Sequence, residues 1–465
     1  MNQITLHNDL PTLDDKLEWT SELSRISKRI LDFPTPHVLG IHGDWGSGKT
    51  SFMRQVQFQL GGDMPADASV VSSINPLSKP KKKELEKKVV TIWFDAWRYQ
   101  NESTPVIALI QEMRTQMAAI PAIKEKFKKL GEIAVYSVLD SLSDIGKAIS
   151  LEVIPSIEKI EKRGEKWEKE HYSETLTTNS IREHLHKTIK CLLPTTEARV
   201  VIFIDDLDRC NPKAAMRLLE GLKIYLSIPN CIFVLGMNER ILVDAIRDEI
   251  SAPKDCTQEE LKLRANHYLE KICTDIYRLP LPKQASTLLS SWVQNTEQKI
   301  SLQSALVGIN CLPPNPRRLK ALANQWSRFA DCYTFPSGIE NQKIWAIRVL
   351  VTAYIHQFHR DLWERWHFNS NFWSEIQAWC IGSREAANPA ASEAVKTKSH
   401  WSDSLKLPHL IGSYDEVSGQ PIIKPAFPNP GDIDIFWIGS LVYQYRDQLK
   451  PIDFEALLNV SGVTA

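Results

Sequence analysis

The segment Gly43-Asp44-Trp45-Gly46-Ser47-Gly48-Lys49-Thr50 constrains this chain more than any other. It is a complete G-x-x-x-x-G-K-T. The short apolar run Val38-Leu39-Gly40-Ile41 precedes it, and a helical pattern from about Lys49 to Leu60, stopped by Gly61-Gly62, follows it. Glycine has no side chain, so backbone N–H groups can close around a phosphate, and the N-terminus of the following helix favours anions through its dipole and unpaired donors. Gly43, Asp44, Trp45, Gly46, Ser47, Gly48, Lys49, Thr50 and Ser51 are therefore the expected contacts to a nucleotide. Lys49 is expected to reach the β- and γ-phosphates and the Thr50 hydroxyl to ligate Mg²⁺.

A chain of 465 residues exceeds what one hydrophobic core usually serves, so two or three domains are expected. Hydrophobic residues make up 43% and charged residues 24%, the balance of a globular protein rather than a disordered or fibrous one. Lys plus Arg and Asp plus Glu number 56 each. Zero net charge disfavours a broad basic surface coating DNA and leaves a local basic groove for nucleic acid open. The eight Cys stand singly with no CxxC, against a zinc framework or a secreted disulfide scaffold. Most are expected to be core thiols in a reducing compartment. The N-terminus shows no secretory pattern, and the most apolar run, Ile344 to Phe358, is too short to span a bilayer and carries Arg348. A soluble, cytoplasmic chain without membrane attachment is expected.

Leu17, Leu23, Ile26 and Ile30 predict an amphipathic helix from Asp14 to Leu31, ended by Pro34 and Pro36. Residues 63–88, with six lysines between Lys79 and Lys88, read as an exposed loop. Val89 to Phe94 is β-branched and aromatic, hence strand. Thr104-Pro105 opens a helix with Val106, Leu109, Ile110, Met113 and Met117 on one face. Residues 121–190 are charge-dense and helical in pattern, an insertion expected as a solvent-facing hairpin or a subunit contact. Val200 to Ile204 and Cys231 to Leu235 are fully apolar, as buried parallel strands are. Asn211-Pro212 starts the helix between them. Strand–helix alternation predicts an α/β fold, a parallel sheet covered on both faces. From residue 255 the pattern is mainly helical. The expected domains are a segment 1–36, a core 37–254 carrying the insertion 121–190, a helical lid 255–330 and a Trp-rich helical region 331–465.

The second chemical signal is Ile204-Asp205-Asp206-Leu207-Asp208-Arg209. An apolar strand ending in acids sets carboxylates at the carboxyl edge of a parallel sheet, where ligands bind. Asp205 is the expected Mg²⁺ partner, directly or through water. Asp206 is placed to orient or deprotonate the attacking water. The competing reading is a pair of acids capping the next helix, which does not need the preceding buried strand. In Trp93-Phe94-Asp95-Ala96-Trp97, Asp95 either helps to hold water or Mg²⁺ or caps the following turn, with the tryptophans as packing.

GIHGDWGSGKTS, TIWFDAWRYQ, VIFIDDLDRC, IFVLGMNER, YLEKI and NPRRLKAL, in this order, resemble the KAP family of P-loop NTPases, in the STAND branch of the AAA-related ATPases. The resemblance spans roughly residues 9–330. It implies ATP, or GTP, with Mg²⁺ as cofactors, and an oligomeric switch driven by hydrolysis. It further implies Asn238 as a sensor of the γ-phosphate or its water and Arg317 and Arg318 as lid arginines that contact phosphate on closure. The other reading of Arg318 is a helix-surface arginine. Arg209 is open between a structural salt bridge and a finger in its own or a neighbour's site. Asp9, Pro11 and Asp14 resemble the family's segment near adenine. Relatives often carry transmembrane helices inserted in this domain; here the insertion is polar. Bacterial relatives resemble components of phage-exclusion and anti-phage systems, one arrangement pairing such an ATPase with a deazaguanine-type protein and a nuclease. No effector signature stands in this chain, so a homo-oligomer working with a separate effector protein or defence-system subunits is expected. The alternatives are a non-hydrolysing nucleotide-bound scaffold and a DNA-stimulated motor.

Fourteen Trp is a high count, and Trp363, Trp366, Trp373 and Trp379 cluster near His356, His359 and His367. No ligand spacing accompanies the histidines, so a metal is not expected there. The tryptophans read as core or as a protein interface. Residues 381–432, rich in Ser, Pro, Gly and Ala, read as loop.

Overall fold

The computed structural model describes residues 10–62, 84–85, 87–102, 104–120, 123, 178–225, 228–250, 256–273, 275–282, 284–309, 312–374, 376–377 and 441–459. Two compact units are present: Leu10–Gly43 with Gly48–Leu279, and a second built on Asp44–Ser47 and the chain from Pro280 onward.

The first unit is an α/β sheet protein. Its strands are β1 (His37–His42), β2 (Val89–Asp95), β3 (Arg199–Asp205), β4 (Cys231–Met237) and β5 (Asp275–Arg278). They run in the order β2-β3-β4-β1-β5, and every pairing is parallel. β4 is buried along its whole length and β3 at all but its first residue, which is why both read as unbroken apolar runs.

Alternate residues of the strands feed two cores. Ile92, Phe94, Ile202, Ile204, Phe233 and Leu235 point to one face. It is covered by α3 (Pro105–Ala119), α4 (Thr178–Leu192), α5 (Pro212–Tyr225), α6 (Glu239–Glu249) and α7 (Gln258–Ile272). Leu39, Ile41, Val201, Phe203, Ile232 and Val234 point to the other, covered by α1 (Thr20–Asp32) and α2 (Lys49–Gln59). The stripe predicted on α3, from Val106 to Met117, is buried throughout.

Several expectations need correction. The helix predicted from Asp14 starts only at Thr20, because the Asp15 carboxylate accepts the Trp19 N–H at 2.8 Å and the Thr20 hydroxyl at 2.7 Å, closing a turn. Residues 12–14 instead strap across α2. The Thr12 N–H donates to Ser51 Oγ (3.1 Å), and Gln55 Nε2 donates to the carbonyls of Thr12 (3.1 Å) and Asp14 (3.3 Å). The segment from 255 is not helical throughout: Asp275–Arg278 joins the sheet as β5 beside β1. Four residues are too few for a period to show, and the open edge of β1 decides. Most of the insertion 121–190, and Lys79–Lys83, lie outside the described residues. Its described end belongs to α4, whose Leu185 and Ile189 are core residues, so that part is no solvent-facing hairpin. Of the described cysteines Cys191 and Cys332 are exposed, and only Cys231 and Cys273 are buried.

The second unit is helical, with α8 (Ala285–Ser291), α9 (Thr296–Ala305), α10 (Pro316–Cys332), α11 (Ile339–Phe358) and α12 (Arg360–Phe368). Of the described tryptophans on its helical chain, Trp326, Trp345, Trp363, Trp366 and Trp373 are core. Trp326 meets Trp345 edge-on at 5.7 Å, and Trp366 stacks on Trp373 at 5.1 Å with Phe454 against both. The Trp373 indole satisfies its N–H on the Leu449 carbonyl at 2.8 Å. His356 and His367 pack on the Trp363 ring. Trp379 and residues 381–432 lie outside the described residues. Among the described residues no helix is long and apolar enough to cross a membrane; the most apolar, α11, is buried along most of its length. Trp366→Ala is expected to destabilise this unit by about 3–5 kcal/mol through the cavity it leaves, read as a lower denaturant midpoint in fluorescence-monitored unfolding.

Candidate functional site

Because the strands are parallel, β1, β3 and β4 release their C-terminal loops on one edge, and β4 lies between the other two. The glycine loop follows β1, the acids follow β3 and Asn238 follows β4. The loop is anchored where the Gly43 N–H donates to the Met237 carbonyl at 3.2 Å. Gly46 (φ 79) and Gly48 (φ 97) are both left-handed, a conformation that costs other residues energy.

Within the second unit, Asn315 and Arg317, at the start of α10, hold the tip of the loop. Asn315 Nδ2 donates to the Trp45 carbonyl (2.8 Å), and the Arg317 N–H donates to that of Gly46 (3.2 Å). The Arg317 guanidinium lies 4.4 Å from the centre of the Trp45 ring, a cation–π distance. An added Cβ at Gly46 would come within 2.7 Å of Arg317 Cβ. Sequence reasoning assigned Trp45 no such partner, since the contact joins residues far apart in the chain. Arg318 spends its backbone N–H on the Asn315 cap, at 3.2 Å.

In the first unit Lys49 is buried with its charge engaged. Its ammonium donates to the Gly43 carbonyl at 2.7 Å and pairs with Asp208 Oδ2 at 3.3 Å. Asp208 is the residue the sequence reading left without a role. Its signal was there, a third acid three positions beyond Asp205, but only the turn at Leu207–Arg209 brings it back to the lysine. The Thr50 hydroxyl is hydrogen-bonded to the Asp205 carboxylate. Burial pushes Asp205 above the usual carboxylate range, against the pull of Thr50, the Asp206 backbone and Lys49. Asp205 Oδ1 is buried without a hydrogen-bond partner, and an added Cβ on Gly236 would lie 2.8 Å from it. An orphaned carboxylate oxygen beside a hydroxyl is a hard oxygen donor set, and it fits Mg²⁺.

Asp206 has a left-handed backbone (φ 55, ψ 30), uncommon for a residue with a side chain. Burial, then the neighbouring Asp205 charge, pushes its carboxyl up to about 7, while Arg209 draws it down. Asp206 Oδ1 forms an ion pair with Arg209 Nε at 3.0 Å. Asp95 is the strand partner of Asp205 and pairs with Arg98 at 2.8 Å, its own Oδ1 buried without a partner. The capping reading of Asp95 is not supported: no side-chain hydrogen bond caps the following turn. Asn238 stands at the end of β4 as expected, and its Oδ1 caps α6 by accepting from the N–H groups of Arg240 (3.1 Å) and Ile241 (3.4 Å). Ser51 Oγ is engaged by the Thr12 N–H. Asp9 lies outside the described residues.

A parallel sheet with this loop and these acids defines the P-loop NTPase class of fold. The model of the KAP family P-loop domain matches residues 20–333, and the chain belongs to that family. No curated protein matches the sequence. Among solved structures, the ORC2 protein of Aeropyrum pernix, in ADPNP–ADP complexes, is similar at 9% identity and a TM-score of 0.35, covering 86% of this chain and 82% of that one. A Walker-type ATPase of Pyrococcus abyssi is similar at 11% identity and a TM-score of 0.33, over 94% of this chain and 99% of that one. The Aeropyrum pernix ORC1 protein in complex with DNA is similar at 13% identity and 0.32, over 84% and 83%. Likenesses this remote carry no functional argument.

Asp208 holds the Lys49 ammonium, so an anion binding this lysine would have to displace that carboxylate. Asp208→Asn removes the competing charge and is expected to tighten binding of a slowly hydrolysed ATP analogue about five- to tenfold, on the order of 1 kcal/mol. The same change leaves Lys49 without its carboxylate partner and should lower the melting temperature of the nucleotide-free protein. Calorimetric titration and thermal unfolding read the two effects.

Proposed function

We propose that this protein is a Mg²⁺-dependent ATPase that works as an oligomeric, nucleotide-driven switch. What supports the reading above all is one buried cluster in which Lys49, Thr50, Asp205 and Asp208 meet at the carboxyl edge of the sheet. A scaffold that only bound nucleotide would need phosphate and metal contacts alone. The presence of Asp206 beside Asp205, with a carboxyl raised toward neutrality, favours turnover.

In this reading the N–H groups of Gly43 to Thr50 cradle the triphosphate, and Lys49 leaves Asp208 for the β- and γ-phosphates. Thr50 and Asp205 would hold Mg²⁺, which when bound neutralises phosphate charge. Asp206 holds the attacking water and takes its proton as the water oxygen bonds to the γ-phosphorus and the bond from that phosphorus to the bridging β-phosphate oxygen breaks, so that ADP leaves. Asn238, fixed by its cap, lies where it can sense the γ-phosphate or that water. Arg317 and Arg318 are read, by family resemblance, as lid arginines that contact phosphate on closure. Oligomerisation, a separate protein effector and a role in bacterial anti-phage defence extend the reading by family resemblance, as does a cytoplasmic location.

Phosphate release from ATP and from GTP tests it. Lys49→Ala should lose nucleotide binding. Asp206→Asn should bind an ATP analogue within about twofold of wild type while turnover drops about 10²–10⁴-fold; unchanged turnover in that variant overturns the assignment. Native mass measured with and without the analogue reads the assembly step, and a mass unmoved by nucleotide counts against the oligomeric switch.

A further inference from the structure

The acid at position 206 is held from its own chain. Asp206 opens a 3-10 turn, Leu207–Arg209, that folds Arg209 back over it. The Arg209 backbone N–H donates to the Asp206 carbonyl at 3.1 Å, and Arg209 Nε forms an ion pair with Asp206 Oδ1 at 3.0 Å. Main chain and carboxylate are thus gripped by the same residue. The neighbouring strand repeats the construction: after β2 comes the 3-10 turn Ala96–Tyr99, and Asp95 pairs with Arg98 three positions on. Trp97, from that second turn, sets its exposed ring 5.9 Å from the Arg209 guanidinium. Arg209 is therefore ion-paired with Asp206 and faced by an aromatic ring, with a third of its side chain open to solvent.

We propose that Arg209 is a positioning residue acting in cis: through Nε and the backing of Trp97 it holds the Asp206 carboxylate in the orientation that receives the attacking water. The inference rests on the reading of Asp206 given above. An ion pair with a planar, pre-organised guanidinium fixes a carboxylate better than one with a mobile ammonium does. An arginine reaching a neighbouring subunit's phosphate would have to give up both contacts, and Asp206, seated in a left-handed turn, would lose its anchor. The chemistry at position 209 is therefore geometric: small displacements of a catalytic group cost rate rather than affinity.

Steady-state phosphate release, with analogue binding measured in parallel, tests this on the full chain. Arg209→Ala should lower kcat about ten- to a hundredfold and leave analogue affinity within about twofold of wild type. Arg209→Lys should recover part of that loss, and Trp97→Ala should lose a smaller factor in kcat with the same unchanged affinity. Mixing Arg209→Ala with Lys49→Ala protein should restore nothing. Full turnover in Arg209→Ala while Asp206→Asn is inactive overturns the inference, as does recovery in the mixture, which would make the arginine a trans group. A fall in affinity and thermal stability equal for Arg209→Ala and Arg209→Lys also overturns it, because that is a folding role. Wild-type turnover in Asp206→Asn is a separate failure, of the underlying reading.

Discussion

One polarity governs the site: all five strands run in the same direction. A parallel sheet needs long crossovers, and those crossovers put every strand's C-terminal loop on the same edge. The loop after β1, the acids after β3 and the cap after β4 share that edge for this reason alone. Had β4 run antiparallel, Asn238 would stand at the opposite end. The burial of β3 and β4 follows from the same arrangement, since helices cover both faces and the ladders in the middle have no solvent side.

The site built on this edge is rich in charge and poor in water. Lys49, Asp205 and Asp208 are all nearly buried. Removing ions from water is costly, and a buried pair breaks about even at best, while removing one partner is strongly unfavourable. Asp208 neutralises the lysine, and Asp205 and Asp95 each bury one carboxylate oxygen without a hydrogen-bond partner. Asp206 belongs to the same field, its carboxyl raised by burial and by Asp205 and steadied by Arg209.

The second unit shows how position in a fold changes the meaning of composition. Trp363, Trp366 and Trp373 read from the sequence as core or interface, and they are core. Large rings with one donor each fill a helical interior well when that donor finds a carbonyl, as Trp373 does on Leu449. Among the described residues the exposed tryptophans are Trp45 and Trp97. Each faces an arginine rather than the core, Trp45 with Arg317 and Trp97 with Arg209.

The sequence by itself determined the glycine loop, the apolar runs of the inner strands and the acids that end β3, because each is a local pattern whose physics needs no distant partner. It also carried the helix starts at Pro105 and Pro212 and the buried stripe of α3. Tertiary structure decided the rest. α1 begins at Thr20 because Asp15 closes a turn and the strap at Thr12–Asp14 answers to Ser51 and Gln55 on α2. β5 exists because β1 has an open edge, not because Asp275–Arg278 carries a strong strand pattern. The pairing of Asp208 with Lys49 joins the loops on either side of β4, far apart in sequence, and that of Arg317 with Trp45 joins residues in different parts of the chain. Neither leaves a period or a spacing, since a contact across a fold depends on where the backbone returns, which no window of neighbouring residues encodes.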